Sequence, residues 1–227
     1  MEKMIGFVPA RGGSSRIPRK NIRKVGEIPL FLRACYNLNQ VLPKEDIIVD
    51  SDDDEILSLA EEKGFGTLRR PGELATNATD GNAFFRWETS NYPDADIYIQ
   101  HLPPMPFLSE GTIRKSLDAI SQGYDSVVCI GKEHFYLWDM VSGKPLYDVK
   151  HIPNSFILKE TVFETMGFYA ITKQAHKDTG LRIGKKYKFI ELNKFEQIDV
   201  NYQDDFELAD AIARGLKPDS VYNLKIE

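Results

Sequence analysis

The sequence predicts an α/β protein on a mostly parallel sheet. Apolar runs and amphipathic runs alternate five times between residues 4 and 131. That rhythm is the mark of crossover units, in which each strand is returned to the sheet by a helix. Helix boundary signals fall where the rhythm needs them: Ser109 as a cap, and Gly64 and Gly123 as stops.

In order, residues 4–10 read as a buried strand and 28–41 as a helix with Pro29 near its start. "DIIVD" (46–50) reads as a second strand and 53–64 as an amphipathic helix; 67–71 is a short third strand and 80–93 a helix. Residues 95–102 form a fourth strand, followed by a proline cluster, and the helix at 109–123 precedes a fifth strand at 125–131. The rhythm then breaks. Residues 132–165 carry aromatic residues, Pro145 and Pro153, and few helical signals, so they are expected to be β-rich or irregular, an oligomerisation arm. Strands are expected again at 164–171, 185–193 and 195–200, and a closing amphipathic helix at 204–215, with Phe206, Ala209, Ile212 and Ala213 on its apolar face. The whole chain, 1–227, reads as one domain with 132–165 as its arm.

Composition narrows the function. A net charge of −5 excludes a general nucleic-acid binder, so a basic loop near the N-terminus is a local anomaly. Cys35 and Cys129 lie far apart in apolar surroundings and read as reduced core residues. No leader-like apolar stretch opens the sequence and no run reaches membrane-span length, so the expected location is cytoplasmic, with no membrane partner.

The anomaly is "VPARGGSSRIPRKN", residues 8–21. Gly12 and Gly13 are adjacent, which fails the G-x-G-x-x-G dinucleotide pattern, and no Gly-Lys-Ser/Thr follows to make a P-loop. The chemistry of a phosphate cradle is present all the same. Glycines let backbone amides approach an anion, Ser14 and Ser15 add hydroxyls, and Arg11, Arg16, Arg19 and Lys20 add charge. A merely solvated basic loop does not need glycine, serine and cation together directly after a first strand.

This stretch closely resembles the A-R-G-G-S-K-x-I-P-x-K-N signature of the acylneuraminate cytidylyltransferases (CMP-sialic acid synthetases). The resemblance continues in order through "IIVDSDDDEILSLAEEKG", "RRPGELATN", "ETMGFYAI" and "IDVNYQDDFELAD". It implies a nucleotidyltransferase fold (Rossmann-like, of the GT-A type), a homodimer, Mg²⁺, and transfer of CMP from CTP to a 2-keto sugar acid with release of pyrophosphate. It further implies that Arg11, Arg16 and Lys20 neutralise the triphosphate. Ala10, Gly12, Gly13, Ser14, Asn21 and Arg70 would meet the nucleotide, and Gln100, His101, Gly167 and Tyr169 the acceptor. Asp199, Asn201 and Asp205 would face the metal.

Two acidic clusters compete for that metal. Asp50, Asp52, Asp54 and Glu61 match positions of a calcium loop, but Glu55 stands where glycine is required, and the segment follows a strand and opens a helix. Asp52 matches a family aspartate whose role stays open. Asp199 precedes the last helix, and magnesium needs one or two carboxylates besides phosphate oxygens. The second family aspartate is Asn201 here, which brings a carbonyl without charge. Asp204 and Asp205 read equally well as helix-capping acids.

Other departures point to the acceptor. Ser15 replaces the family lysine and Arg16 follows it, an arrangement similar to the Kdo cytidylyltransferases. Asn77 replaces an aspartate, and "QHLPPMPFL" replaces Q-P-T-S-P-L-R, leaving Leu108 where an arginine would hold a sugar carboxylate. His101 is a further candidate there, although a lone histidine after a strand is more often structural. In the arm, Lys132, His134, Tyr136, Trp138, His151 and Asn154 are candidates for reaching a partner's sugar pocket, or for interface core. The expectation is thus a cytidylyltransferase for a sialic acid-like nonulosonate. The alternatives are Kdo or a phosphonate as acceptor, or a non-catalytic nucleotide-binding protein of the same fold.

Overall fold

The computed structural model describes residues 2–217 and 219–224. Its centre is a seven-stranded sheet. In chain order the elements are β1 (Met4–Pro9), β2 (Lys24–Val25), β3 (Ile28–Pro29), α1 (Leu30–Asn39), β4 (Ile47–Ser51), α2 (Asp54–Glu62), β5 (Gly66–Arg69), α3 (Gly81–Ser90) and β6 (Ile97–His101). There follow α4 (Glu110–Ser121), β7 (Ser126–Glu133), β8 (Trp138–Asp139), β9 (Lys144–Pro145), β10 (Thr161–Thr172), α5 (Lys173–Thr179), β11 (Tyr187–Glu191) and α6 (Gln203–Gly215).

The strand order is β11-β7-β10-β6-β1-β4-β5. Pairings β1–β4, β1–β6, β4–β5 and β7–β11 are parallel, and only β10 runs against its neighbours. Alternate residues of the central strands feed two cores. Val8, Val49 and Ile99 pack with α1 and α4 on one face. Phe7, Ile48 and Tyr98 pack with Phe85 of α3 and Ala175 of α5 on the other. Both faces are covered, which is why these strands read as continuous apolar runs.

From β1 the chain first steps to β4 on one side and later to β6 on the other. A crevice opens at the carboxyl ends of strands where the order reverses in this way. A third core lies at that end: Ile17 of the loop after β1 packs with Val25, Leu30, Phe107, Val200 and Phe206. Ile17 is 1% exposed, so burying it contributes about 2 kcal/mol toward holding the loop down.

The structure differs from the expectation in two places. Residues 195–200 are a turn and irregular chain rather than a strand, because the Glu196 side chain, 2% exposed, accepts from Ser109 Oγ, Thr112 Oγ1 and Asn193 Nδ2 and ties the segment to α4. Helix α5 was not anticipated; Thr172 caps it through the Ala175 amide. The 132–165 segment, expected to be β-rich or irregular, holds the end of β7, the short β8–β9 hairpin, a 3₁₀ turn at Ser155–Ile157 and the first part of β10, and is largely exposed. Cys35 and Cys129 are buried and unpaired, as expected, and burial raises both thiols. Among the described residues no helix is long and apolar enough to cross a membrane.

Candidate active site

The loops after β1, β5 and β6 enclose a cleft of about 240 Å³. Arg11, Gly13, Ser14, Arg16, Lys20, Asn21 and Arg70 all line it, so the sequence-predicted phosphate cradle forms one surface. Asn77, Phe84 and the Leu102–Pro104 turn complete the wall.

The loop is held open from beneath. Ala10 is buried; its amide donates to Asp50 O and its carbonyl accepts from Ser51 Oγ at 2.6 Å. Gly12 N donates to Asp52 Oδ1 at 2.9 Å, and a Cβ at residue 12 would stand 2.5 Å from Asp53 Oδ2. Only glycine fits so close to the β4–α2 turn. Asp53 caps α2 through the Glu55 and Ile56 amides and also receives Arg19 Nη1 at 2.8 Å. Arg19 has a left-handed backbone, φ 54°, which turns it away from the cleft onto this acidic helix start. The calcium-like cluster is therefore a brace: Asp50 is buried in an ion pair with Arg70, and Asp52 and Asp53 fasten the loop. This gives Asp52 the role the sequence left open.

Lys20 and Asn21 face inward. Asn21 Nδ2 donates to Arg11 O at 2.9 Å, fixing the loop's curvature. Lys20, 9% exposed, donates from Nζ to Val200 O at 2.6 Å. Burial pushes its pKa down to about 8, against the pull of Asp199 and with help from Arg16 and Arg11. Arg16 Nη2 donates to Asn201 Oδ1 at 2.7 Å, with the Arg16 guanidinium over the Tyr202 ring, and Arg11 Nη2 donates to Asn77 Oδ1 at 2.6 Å. Two departures from the family pattern, Asn77 and Asn201, thus hold the two loop arginines.

Asp199 lies beside Lys20 and accepts from Asn201 Nδ2 at 2.5 Å. Loss of solvent around it raises its carboxyl, opposed by Asn201 and Lys20; its outer edge stays exposed, which limits that rise. Asp205 Oδ2 accepts the Asn201 and Tyr202 amides at 2.9 and 2.7 Å, so it caps α6. Among the described residues no three His, Cys, Asp or Glu side chains gather as a metal cage. Asp199 with the Asn201 carbonyl suits a cation that arrives on a triphosphate, with few protein ligands of its own.

The acceptor residues fall in two places. Gln100 and His101 have no exposed surface, which corrects the expectation that they line the cleft. Gln100 Nε2 donates to Glu88, while the His101 ring lies between Asn37 Nδ2 and Gly167 O, and burial lowers its pKa to about 4. Gly167 is likewise structural: its Cβ would overlap Met105, and its carbonyl accepts the Leu102 amide at 2.8 Å. Leu108 is core, 1% exposed. Tyr169 lines a neighbouring cavity and donates its hydroxyl to Glu164 at 2.6 Å.

Between cleft and cavity lies a buried polar group that sequence reasoning missed. Asp50, Arg70, Glu88, Gln100 and Arg182 are all under 10% exposed. Burial and the adjoining Asp50 carboxyl raise Glu88 well above the usual carboxylate range. The Phe84 ring carries the Arg70 guanidinium at 5.1 Å and that of Arg182 at 4.8 Å. Nothing in local spacing announces this set, because its members come from two strands, a helix and two loops.

The fold has solved counterparts. The structure of CMP:2-keto-3-deoxy-manno-octonic acid synthetase complexed with CTP is similar with a TM-score of 0.66 at 16% identity, covering 93% of this chain and 98% of that chain. The chain belongs to the cytidylyltransferase family, whose sequence pattern matches residues 5–137, more than half of its length. It is 26% identical over 215 residues to an N-acylneuraminate cytidylyltransferase of Oncorhynchus mykiss, covering 90% of this chain and 49% of that protein. It is 29% identical over 133 residues to a 3-deoxy-manno-octulosonate cytidylyltransferase of Acidobacterium capsulatum, covering 56% of this chain and 50% of that protein. The chain spans about half the length of these curated relatives.

Proposed function

We propose that the protein transfers CMP from CTP to a 2-keto sugar acid of the sialic acid-like, nonulosonate type, releasing pyrophosphate. One observation carries the reading: Arg11, Arg16, Lys20 and Arg70 converge with the glycine-serine turn on a single cleft at the carboxyl end of β1. Phosphoryl transfer asks a protein mainly to position reactants and offset charge. The acceptor hydroxyl oxygen bonds the α-phosphorus and the bond from that phosphorus to the bridging oxygen breaks. Pyrophosphate leaves with the electron pair, and the hydroxyl proton passes to water. Lys20 and the two loop arginines offset charge on the triphosphate, and the Gly13 and Ser14 amides bond its oxygens. Mg²⁺ bound with CTP would be held by Asp199, with the Asn201 carbonyl joining only on release from Arg16, and would add further charge neutralisation.

Kdo as acceptor is the second reading, favoured by Arg16 at its position and by the octulosonate-type relative. A phosphonate acceptor is a variant of it. A non-catalytic nucleotide binder draws support from Asn201, which removes one metal carboxylate. We also propose a homodimer through the arm, where Trp138, Met140, Val141, Ile152, Phe156 and Ile157 are all more than half exposed. Pyrophosphate release with CTP and Mg²⁺, across N-acetylneuraminate, Kdo and a phosphonate, tests the reading. Release with one sugar acid supports it; CTP binding with no release for any acceptor favours the non-catalytic alternative.

A further inference from the structure

A second cavity, of about 290 Å³, lies between the start of α3, the middle of β10 and the loop from α5 to β11. Arg182 lines it and is 6% exposed. Its guanidinium is gripped between the rings of Phe84, at 4.8 Å, and Tyr169, at 5.1 Å. It also rests on Gly81, where an added Cβ would come within 2.5 Å of Nη1. Stacking of this kind fixes a planar fork in one orientation.

The guanidinium so fixed keeps donors unused. Its Nε and Nη2 have no hydrogen-bond partner. Burial lowers its pKa, opposed by Tyr169, Glu88 and Asp80. The buried Glu88 carboxyl is raised well above the usual carboxylate range by burial and by Asp50, which weakens it as a counter-charge. Asp80 is occupied with the Asn82 and Ala83 amides, and Glu164 with the Tyr169 hydroxyl. A buried, pre-oriented guanidinium lacking an anion is suited to receive one, and a carboxylate matches its fork. The remaining lining has the opposite character: Asp80 and Glu164 are acceptors that favour hydroxyl donors over a second anion.

We propose that this cavity is the acceptor subsite and that Arg182 selects a polyhydroxylated carboxylic acid, with the carboxylate on the guanidinium and hydroxyls on Asp80 and Glu164. The inference rests on the CMP-transfer reading and deepens it. Phe84 forms a wall of the nucleotide cleft while its ring carries Arg182, so the two spaces adjoin. Leu108 is buried, so the turn after β6 supplies no cation there, and Arg182 does so from the opposite side.

Calorimetry with N-acetylneuraminate and with Kdo, each as free acid and as methyl ester, tests the subsite apart from turnover. The wild-type protein is expected to bind at least one free acid, and its ester about 10- to 100-fold more weakly. Arg182→Gln should weaken the acid by a similar factor and leave CTP affinity unchanged. Gly81→Ala should act in the same direction by displacing the guanidinium without altering its chemistry. If Arg182→Gln does not fold, as judged by circular dichroism, Arg182→Lys and Gly81→Ala carry the comparison. Binding of neither acid by the wild type, or no preference for acid over ester, overturns the proposal. So does wild-type acid affinity in the folded variants. Arg182-dependent binding with no CMP product on adding CTP and Mg²⁺ instead sinks the transferase reading and leaves the subsite standing.

Discussion

The Lys20 ammonium donates to the Val200 carbonyl at 2.6 Å, joining the phosphate loop to the segment that leads into α6. Burial holds its pKa near 8, so in the free protein it is charged below that pH and neutral above it. CTP affinity should therefore fall as pH rises through about 8. Lys20→Arg should abolish that pH dependence, since guanidinium does not titrate there. Lys20→Ala should lower affinity about 10- to 100-fold at neutral pH with the fold intact. Titration calorimetry across this range checks all three; unchanged affinity in Lys20→Ala removes the loop from the site.

Gly12 is the tightest point of the loop. Gly12→Ala should push the loop off the β4–α2 turn, because the new methyl meets the Asp53 side chain at 2.5–3.0 Å. The expected outcome is a loss of CTP affinity of at least about tenfold, with a stability cost of about 1–3 kcal/mol from overpacking. Asp52→Ala should give a smaller loss, since it frees one amide that water can reach. Parallel melting curves and CTP titrations separate the two effects.

Asp50 and Glu88 should answer differently to amide substitution. Burial and Asp50 raise Glu88 well above the usual carboxylate range, so Glu88→Gln should change stability by less than about 1 kcal/mol. Arg70→Met strips the partner from Asp50, which has no exposed surface, and should cost about 3–5 kcal/mol. Adding Asp50→Asn to Arg70→Met should recover part of that loss. Urea denaturation of the three variants decides the matter.

His101 makes stability depend on acid. Its folded pKa of about 4 lies below the ordinary histidine value of 6.5. The unfolded chain therefore takes up a proton first, and stability contributed by the neutral ring is lost as pH falls from about 6.5 to about 4, by about 3 kcal/mol in full. His101→Gln should lower stability at pH 7 yet flatten this acid limb. An acid limb as steep as the wild type's would place the titration elsewhere.

The repeated strand–helix units were legible because each announces itself locally, through apolar runs, caps and stop glycines such as Gly64 and Gly123. The direction of β10 was not, since antiparallel pairing depends on where a chain returns and leaves no mark on "ETMGFYAI". Helix α5, only seven residues long, is too short for helical periodicity to show. Residues 195–200 misled because their apolar members, Phe195, Ile198 and Val200, imitate strand spacing while the buried Glu196 dictates turns. In the site, the loop residues were readable from chemistry. Burial was not: Gln100 and His101 sit at a strand end, and only the packing of Glu88 and Asn37 over them shows that they face inward. Arg182 lay in a stretch with no motif at all.

The cleft is assembled from opposite ends of the sequence: Arg16 on Asn201, Lys20 on Val200, the Gly26 amide on Asp210. A ribosome making this chain releases the phosphate loop well before its floor. Through most of synthesis the loop is a charged segment without support, and it can acquire its shape only when α6 docks. On the proposed reading, a chain that holds CTP has already brought the phosphate loop and α6 together, and the bound nucleotide helps to keep them so.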